Sequence, residues 1–332
     1  MESLLDQEVL SGEETVEQSL RPDSLSAYVG QELIKESLRI AITAAKQRNT
    51  PIDHVLLYGP PGLGKTSLAF IIGKEMGTQV RTTSGPAITK AGDIAALLTN
   101  LQEGDILFID EIHRMQRTVE EILYPAMEDR CIDIMLGKGP SARSVRIDLP
   151  SFTLVGATTR AGTLSRPLRE RFGHIHRLDY YSTDELVSIL SRSMQLLGLN
   201  VTPKGLAQIA ERSRRTPRVA NRLLRRVRDF AAVHHLNQVD ETVATAALDQ
   251  LEIDKLGLDR IDRDVLNLID KQFRGGPVGL ETLAAACGEE RETLEDIIEP
   301  YLLRIGFLER SPRGRVITDA ARTHLGLPLP IS

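Results

Sequence analysis

Residues 54–58, His54-Val55-Leu56-Leu57-Tyr58, form a short apolar run that ends in Gly59-Pro60-Pro61-Gly62, and from Thr66 to Met76 apolar positions recur at helical spacing. That pattern predicts a strand, a loop and a helix in succession. Segments 79–83, 106–109 and 152–157 are further strand candidates, with helical periods at 93–100 and 118–127 between them. Strands that alternate with helices imply a parallel sheet covered on both faces.

The alternation breaks at 131–149, where Ile132 to Leu136 and Ser144 to Ile147 flank Gly137-Lys138-Gly139-Pro140 and predict a hairpin. From 183 to about 251 helical periods at 184–197, 203–212 and 217–235 occur without a strand candidate, which predicts a separate helical domain. Residues 253–260 read as a linker. Helices at 262–271, 280–287 and 291–304, then a hairpin over 307–318 with Pro312-Arg313-Gly314 at its tip, predict a winged helix. The expected fold class is therefore α/β, with a P-loop parallel-sheet domain at 21–181, a small helical lid at 182–254 and a C-terminal winged-helix domain at 255–332.

Length supports several domains, because 332 residues exceed what one hydrophobic core holds. Residues 1–20 differ from the rest: Glu2, Asp6, Glu8, Glu13, Glu14 and Glu17 occur there without Lys or Arg, so a disordered acidic tail is expected and a signal peptide is not. Every apolar block is shorter than the roughly 18 residues of a membrane span, and a soluble, cytoplasmic protein is expected. Cys131 and Cys287 are far apart without a His or Cys at ligand spacing, which supports neither a zinc site nor a disulfide framework. The net charge of -5 excludes a wholly basic surface but leaves room for local basic patches.

Gly59-Pro60-Pro61-Gly62-Leu63-Gly64-Lys65-Thr66 fits G-x-x-x-x-G-K-[ST], and it lies between a predicted strand and a predicted helix, where the motif works. Small residues let successive backbone N–H groups turn toward phosphates at a helix start. Lys65 is expected to reach the β- and γ-phosphates of ATP and Thr66 to ligate Mg²⁺. The strand 106–109 runs into Asp110-Glu111, which places Asp110 near that Mg²⁺ and Glu111 where it can polarise an attacking water. Asp110-Glu111-Ile112-His113 would also suit a helicase with two motor lobes, but no second αβ repeat follows.

The chain resembles the AAA+ family and, from Arg21 to its C-terminus, the RuvB family of Holliday-junction branch-migration motors within it. The resemblance rests on Leu20-Arg21-Pro22, the 59–66 loop, Asp110 to His113, Gly156-Ala157-Thr158-Thr159-Arg160, Leu168 to Phe172, Thr216-Pro217-Arg218 and Gly306 to Arg315. It implies that Thr158 or Thr159 senses the γ-phosphate, that Arg171 is an arginine finger acting on a neighbouring subunit, and that Arg218 is a second sensor. It extends the nucleotide-binding set to Leu20, Arg21, Gly62, Gly64, Ser67, Glu128, Asp129, Arg130 and Tyr181. Apart from the resemblance, Arg169, Arg171 and Arg177 would read as a solvated basic face.

The last domain gathers Arg304, Arg310, Arg313, Arg315 and Arg322 against Glu309 and Asp319, a basic end on an acidic protein. Arg310 and Arg315 flank the wing tip and match DNA-contacting positions of the family, with Arg291 a third; solvated arginines on a protein-docking wing are the competing reading. Without Trp, and with few Phe or Tyr, a single-strand stacking platform is disfavoured and backbone tracking on duplex DNA is expected. Ile134, Met135 and Leu136 suggest an apolar hairpin surface, packed back on its own sheet or on the next subunit or, as the resemblance implies, meeting the partner RuvA. The resemblance further implies a homohexamer, the resolvase RuvC in a wider complex, and roles in recombination, DNA repair and the SOS response. The competing function is an ATP-switched DNA-binding or loader protein without translocation.

Overall fold

A computed structural model of the chain describes residues 19–136 and 143–329. The acidic segment 1–18 and the hairpin tip 137–142 lie outside the described residues, as do the side chains of Ile134, Met135 and Leu136, so the expectations placed on them are not met with structure. The rest divides into two compact units, Arg21–Asp179 and the residues from Tyr180 onward together with Ser19 and Leu20.

In the first unit, α1 (Glu32–Arg48), β1 (Val55–Tyr58), α2 (Lys65–Met76), β2 (Val80–Ser84), α3 (Ala91–Thr99), β3 (Ile106–Asp110) and α4 (Arg117–Glu128) are followed by the hairpin β4 (Cys131–Leu136) and β5 (Arg143–Asp148). Then come β6 (Thr153–Thr158), α5 (Arg166–Glu170) and β7 (His174–Arg177). Five strands form a parallel sheet in the order β2-β3-β6-β1-β7. Leu56, Leu57, Leu107, Ile109, Leu154 and Val155 are fully buried, as befits central strands covered on both faces.

This order positions the chemistry. Because β6 lies between β1 and β3, the loop after β1, the end of β6 and the carboxylates ending β3 meet at one sheet edge. Clefts beyond the carboxyl ends of parallel strands are where such folds bind ligands. The predicted strands are present, each within a residue or two of its expected bounds, and the hairpin pairs in antiparallel register from Cys131 with Asp148 to Leu136 with Arg143. Strand β7 was not anticipated: His174-Ile175-His176-Arg177 is a half-exposed edge strand with little apolar signal. Helix α1 also escaped the periodicity reading.

The second unit holds α6 (Thr183–Leu196), α7 (Pro203–Glu211), α8 (Pro217–Val233) and α9 (Glu241–Gln250), then α10 (Arg260–Gln272) and α11 (Leu280–Cys287). Ser182, Thr202, Asp240 and Asp259 cap the starts of α6, α7, α9 and α10 with their side chains, which explains why those helices begin where they do. The helix expected over 291–304 is instead three pieces: α12 (Arg291–Thr293), a π-helical turn over Leu294–Ile298 and α13 (Glu299–Arg304). Pro300 has no N–H for the helical ladder and its ring crowds the preceding turn, so the helix widens just before it. Strands β8 (Leu308–Ser311) and β9 (Gly314–Ile317) form the wing, and α14 (Asp319–Leu325) follows.

The wing is fixed at its base. Val278 and Arg315 exchange backbone hydrogen bonds of 3.0 and 2.8 Å, adding a bridge beside β9. Gly314 has φ 139, and a Cβ there would sit 2.3 Å from the Val278 carbonyl oxygen. Gly314→Ala should therefore destabilise the protein by about 1–3 kcal/mol in urea unfolding. Gly92, inside α3 with open space around its Cβ, should on replacement by Ala gain about 0.5–1 kcal/mol; equal effects at the two sites would contradict this packing.

Candidate nucleotide and DNA sites

The loop after β1 bends through three glycines of positive φ, Gly59 (142), Gly62 (77) and Gly64 (96), and Gly64 immediately precedes α2. At two of them a side chain is excluded. A Cβ on Gly59 would lie 2.6 Å from the Leu178 carbonyl oxygen, and one on Gly64 would lie 2.6 Å from the Tyr28 hydroxyl. Tyr28 donates that hydroxyl to the Leu63 carbonyl at 3.1 Å, bracing the loop from beneath. The buried Lys65 donates from Nζ to the Gly59 and Pro60 carbonyls at 2.8 and 2.9 Å, so its ammonium points into the loop. Thr66 and Ser67 open the first turn of α2, and the Arg21 guanidinium lies 5.8 Å from the Phe70 ring on the same helix.

At the end of β3, Glu111 turns sharply with φ 47 and donates its N–H to Asp110 Oδ1 at 2.9 Å. Gly85 is what permits that turn, since a Cβ on it would sit 2.3 Å from the Glu111 carbonyl oxygen. His113 closes the Asp110–His113 motif, and its Nδ1 lies 3.2 Å from Glu111 Oε2 and 3.0 Å from Thr158 Oγ1. Thr159 donates its hydroxyl toward Glu111 Oε2 at 3.5 Å. Thr158 is fully buried, and its Oγ1 also accepts the Arg160 N–H at 2.9 Å. Lys65, Thr66, Asp110, Glu111, Thr158 and Thr159 thus gather at one edge of the sheet.

Arg171 and the 128–130 segment do not join them. Arg171 ends α5 and lines a cavity with His54, Met127, Arg130, Phe152 and Gly173. His54, Phe152 and Gly173 directly precede β1, β6 and β7, so this cavity lies at the opposite edge of the sheet from the glycine loop. Strands of four to six residues at about 3.3 Å each separate the two edges. The Arg171 guanidinium donates to Glu128 Oε2 and to the Pro167 carbonyl, both at 2.8 Å, and lies 4.8 Å from the Tyr124 ring. Arg130 bonds Ser151, and Asp129 closes α4.

In the second unit, Tyr181 is buried and donates its backbone N–H to the Arg215 carbonyl at 3.1 Å, while Arg218 lies in the first turn of α8 after Pro217. On the wing, the buried Glu299 accepts from Arg310 at 2.7 and 2.9 Å and from Arg315 at 2.9 and 3.0 Å. Burial pushes the Glu299 carboxyl up, but the two guanidiniums outweigh it and hold the group below its usual range. Arg291 is half exposed and pairs with Glu281 at 2.7 Å. Arg322 pairs with Asp270 and Asp319. Arg310, Arg315 and Arg322 of the basic end are therefore held in ion pairs, and the partners Glu299 and Asp270 are too distant in sequence for a local charge reading to find.

The site suits a nucleotide with Mg²⁺. Among the described residues no group of three His, Cys, Asp or Glu side chains is placed to hold a metal by itself. One hydroxyl and one carboxylate, from Thr66 and Asp110, match an ion that takes its remaining ligands from water and phosphate. Also among the described residues, no helix is long and apolar enough to cross a membrane.

Residues 20–178 match the Holliday junction DNA helicase RuvB P-loop domain, 181–254 the RuvB AAA lid domain and 255–326 the RuvB C-terminal winged helix domain. The structure of the Thermotoga maritima RuvB Holliday junction branch migration motor is similar, with 48% identity and a TM-score of 0.86 over 94% of this chain and 99% of that one. Two point mutants of the same protein match at 49% identity, with TM-scores of 0.88 and 0.87 over 94% and 93% of this chain and 100% of each of theirs.

The edge that carries Arg171 depends on a histidine. His54 Nδ1 accepts the Leu154 N–H at 2.8 Å, and Nε2 lies 3.2 Å from the Met127 carbonyl, so the ring is held neutral with its proton on Nε2. Burial lowers its pKa from 6.5, with the Met127 carbonyl opposing. The unfolded chain then binds the proton more readily, so the stabilisation is complete above about pH 6.5 and is lost as pH falls below it. His54→Gln should flatten the drop in urea midpoint between about pH 7.5 and 5; an undiminished drop would assign it to other groups.

Proposed function

Because the chain belongs to the RuvB family of Holliday junction branch-migration motors, we propose that it is one subunit of a ring that hydrolyses ATP to drive duplex DNA through a four-way junction. The observation that carries this reading is the division of the expected catalytic residues between opposite edges of one sheet. The glycine loop, Asp110 and Glu111 lie at one edge and Arg171 at the other. An arginine on the far edge cannot serve its own chain's phosphates, so each site is completed by the next subunit. A homohexameric ring satisfies every such edge at once, as a heterologous interface that closes on itself.

Within one half-site the roles follow from placement. Backbone N–H groups of Gly62, Gly64, Lys65 and Thr66, with Ser67 behind them, cradle the phosphates at the start of α2. Lys65 would exchange the loop carbonyls for the β- and γ-phosphates, and Thr66 with Asp110 would hold Mg²⁺. That ion would neutralise phosphate charge as it develops. Glu111 orients the attacking water and draws off its proton. Of the two threonines, Thr159 directs its hydroxyl toward Glu111, while Thr158 is buried against His113 and Arg160, so we assign sensing of the γ-phosphate to Thr159 and its support to Thr158.

His113 positions Glu111, because its Nδ1 is shared between the catalytic carboxylate and Thr158. Leu20, Arg21, Tyr181 and Arg218 are assigned to nucleotide binding on the family resemblance. Glu128, Asp129 and Arg130, which share the far edge with Arg171, reach the neighbour's nucleotide beside it. A planar, permanently charged guanidinium suits the charge spread over the transferring phosphoryl group.

On the wing, Arg310 and Arg315 grip duplex phosphates, with Arg291 as a third contact. Both bind Glu299 through the Nε–Nη2 edge, which leaves the Nη1 groups to face a backbone oxygen. The hairpin of 131–149 is assigned to RuvA, with RuvC joining the wider complex, in cytoplasmic recombination and repair. A nucleotide-switched loader would use the same residues without moving DNA.

A synthetic four-way junction incubated with ATP and RuvA separates the two. Dissociation into duplex arms that fails with Glu111→Gln is expected of a motor, whereas binding that assembles and stays is the loader's behaviour. Arg310→Ala leaves a neutral Arg315–Glu299 pair. It should flatten the slope of log affinity against log salt by about 0.9 for unrelated duplexes alike; a sequence-selective loss would count against backbone tracking.

A further inference from the structure

Helix α13 is six residues long, spans about 9 Å at 1.5 Å per residue, and is held at both ends by charged groups. At its start, Glu299 clamps both wing arginines with four hydrogen bonds. In its middle, Tyr301 donates its hydroxyl to the Leu256 carbonyl, and the Arg214 guanidinium lies 5.0 Å from its ring centroid. At its end, the Arg304 guanidinium sits 3.5 Å from the Tyr180 ring centroid, within cation–π range.

The groups on the far side of these contacts adjoin the nucleotide-facing residues. Tyr180 precedes Tyr181, and Arg214 lies four residues before Arg218 in a turn where Arg214 and Arg215 both adopt left-handed φ, 53 and 58. The Arg215 carbonyl accepts the Tyr181 N–H at 3.1 Å, so the two nucleotide-facing segments are tied together at that turn. Arg214 is further fixed by a 2.9 Å bond from Nε to the Gly257 carbonyl and by an ion pair to the buried Asp262 in α10. Contacts of this kind set direction as well as distance, whereas a purely apolar face would let the helix slide.

We propose that α13 transmits movement between the nucleotide-facing residues Tyr181 and Arg218 and the DNA-gripping arginines Arg310 and Arg315, with Tyr301 and Arg304 as the positioning residues that keep the link stiff. This rests on the assignment of those four residues given above. A shift of the turn at Arg214 and Arg215 carries Tyr301 with it, and Glu299, less than one turn away on the same helix, carries both wing strands. The π-helical turn immediately before Glu299 lets α13 move as a short piece separate from α12.

Arg304→Ala in the full-length protein tests it. DNA-free ATP turnover and duplex affinity should stay within about twofold of the parent, while stimulation of turnover by duplex DNA and ATP-driven junction dissociation should both fall about tenfold, the scale of typical coupling between sites. Arg304→Lys keeps a cation over the ring and should restore most of the loss. Tyr301→Phe, which keeps the ring under Arg214 and removes only the hydroxyl bond, provides a second reading if Arg304→Ala folds poorly, with a smaller loss of the same two functions. Undiminished stimulation and dissociation in both variants would overturn the proposal, and so would parallel loss of duplex affinity and DNA-free turnover in both. Failure of the DNA assignment is read separately, as unchanged duplex affinity and salt slope in Arg310→Ala.

Discussion

The parallel register of the five-stranded sheet is the constraint on which the chemistry depends. Every strand runs the same way, so every strand ends at the same edge, and the central position of β6 brings the loop after β1 and the carboxylates after β3 to either side of Thr158 and Thr159. The same geometry sends the segments that precede the strands to the opposite edge. Arg171, placed just before β7, is carried there with Arg130. One sheet thus separates the glycine loop from Arg171, and the proposed ring rests on that separation.

Tight backbone contacts hold each half of this arrangement. Glycines stand where a Cβ would strike backbone or a braced tyrosine, at Gly59, Gly64 and Gly85, and each of the three bears on the glycine loop or on Glu111. The far edge relies on polar ties instead: His54 links the β6 start to the α4 end, and Glu128 receives Arg171. In the second unit Glu299 has the comparable part, holding two guanidiniums in one orientation from a buried position.

Much of this was legible in the chain itself, for reasons that differ from site to site. The glycine loop and Asp110-Glu111 are local motifs in which spacing carries the chemistry, and the strands that hold them are apolar enough to stand out. The role proposed for Arg171 rests on family resemblance, since an arginine among Arg169 and Arg177 has no local signature, and its distance from the loop is a property of the sheet. His113 was visible as a letter in a motif, but its contact with Thr158 spans 45 positions and exists only once β3 and β6 are adjacent. Glu299 was hidden similarly: an acid within a helical run gives no sign of meeting two wing arginines 11 and 16 positions on. The break of that helix into a π-helical turn could have been anticipated from Pro300, whereas β7 could not, because its stability comes from pairing with β1 rather than from its own composition.

The proposed sharing of one site between two subunits is tested most directly by mixing two variants, each expected to be inactive. Arg171→Ala lacks the completing cation but keeps an intact glycine loop and Glu111, and Glu111→Gln lacks the base but keeps Arg171. Mixed in equal amounts under conditions of assembly, they form interfaces at which an intact Glu111 faces an intact Arg171. ATP turnover well above that of either variant alone is the expected result. A mixture that hydrolyses no faster than the average of its components, while still assembling, would mean that each chain completes its own site and would contradict the account.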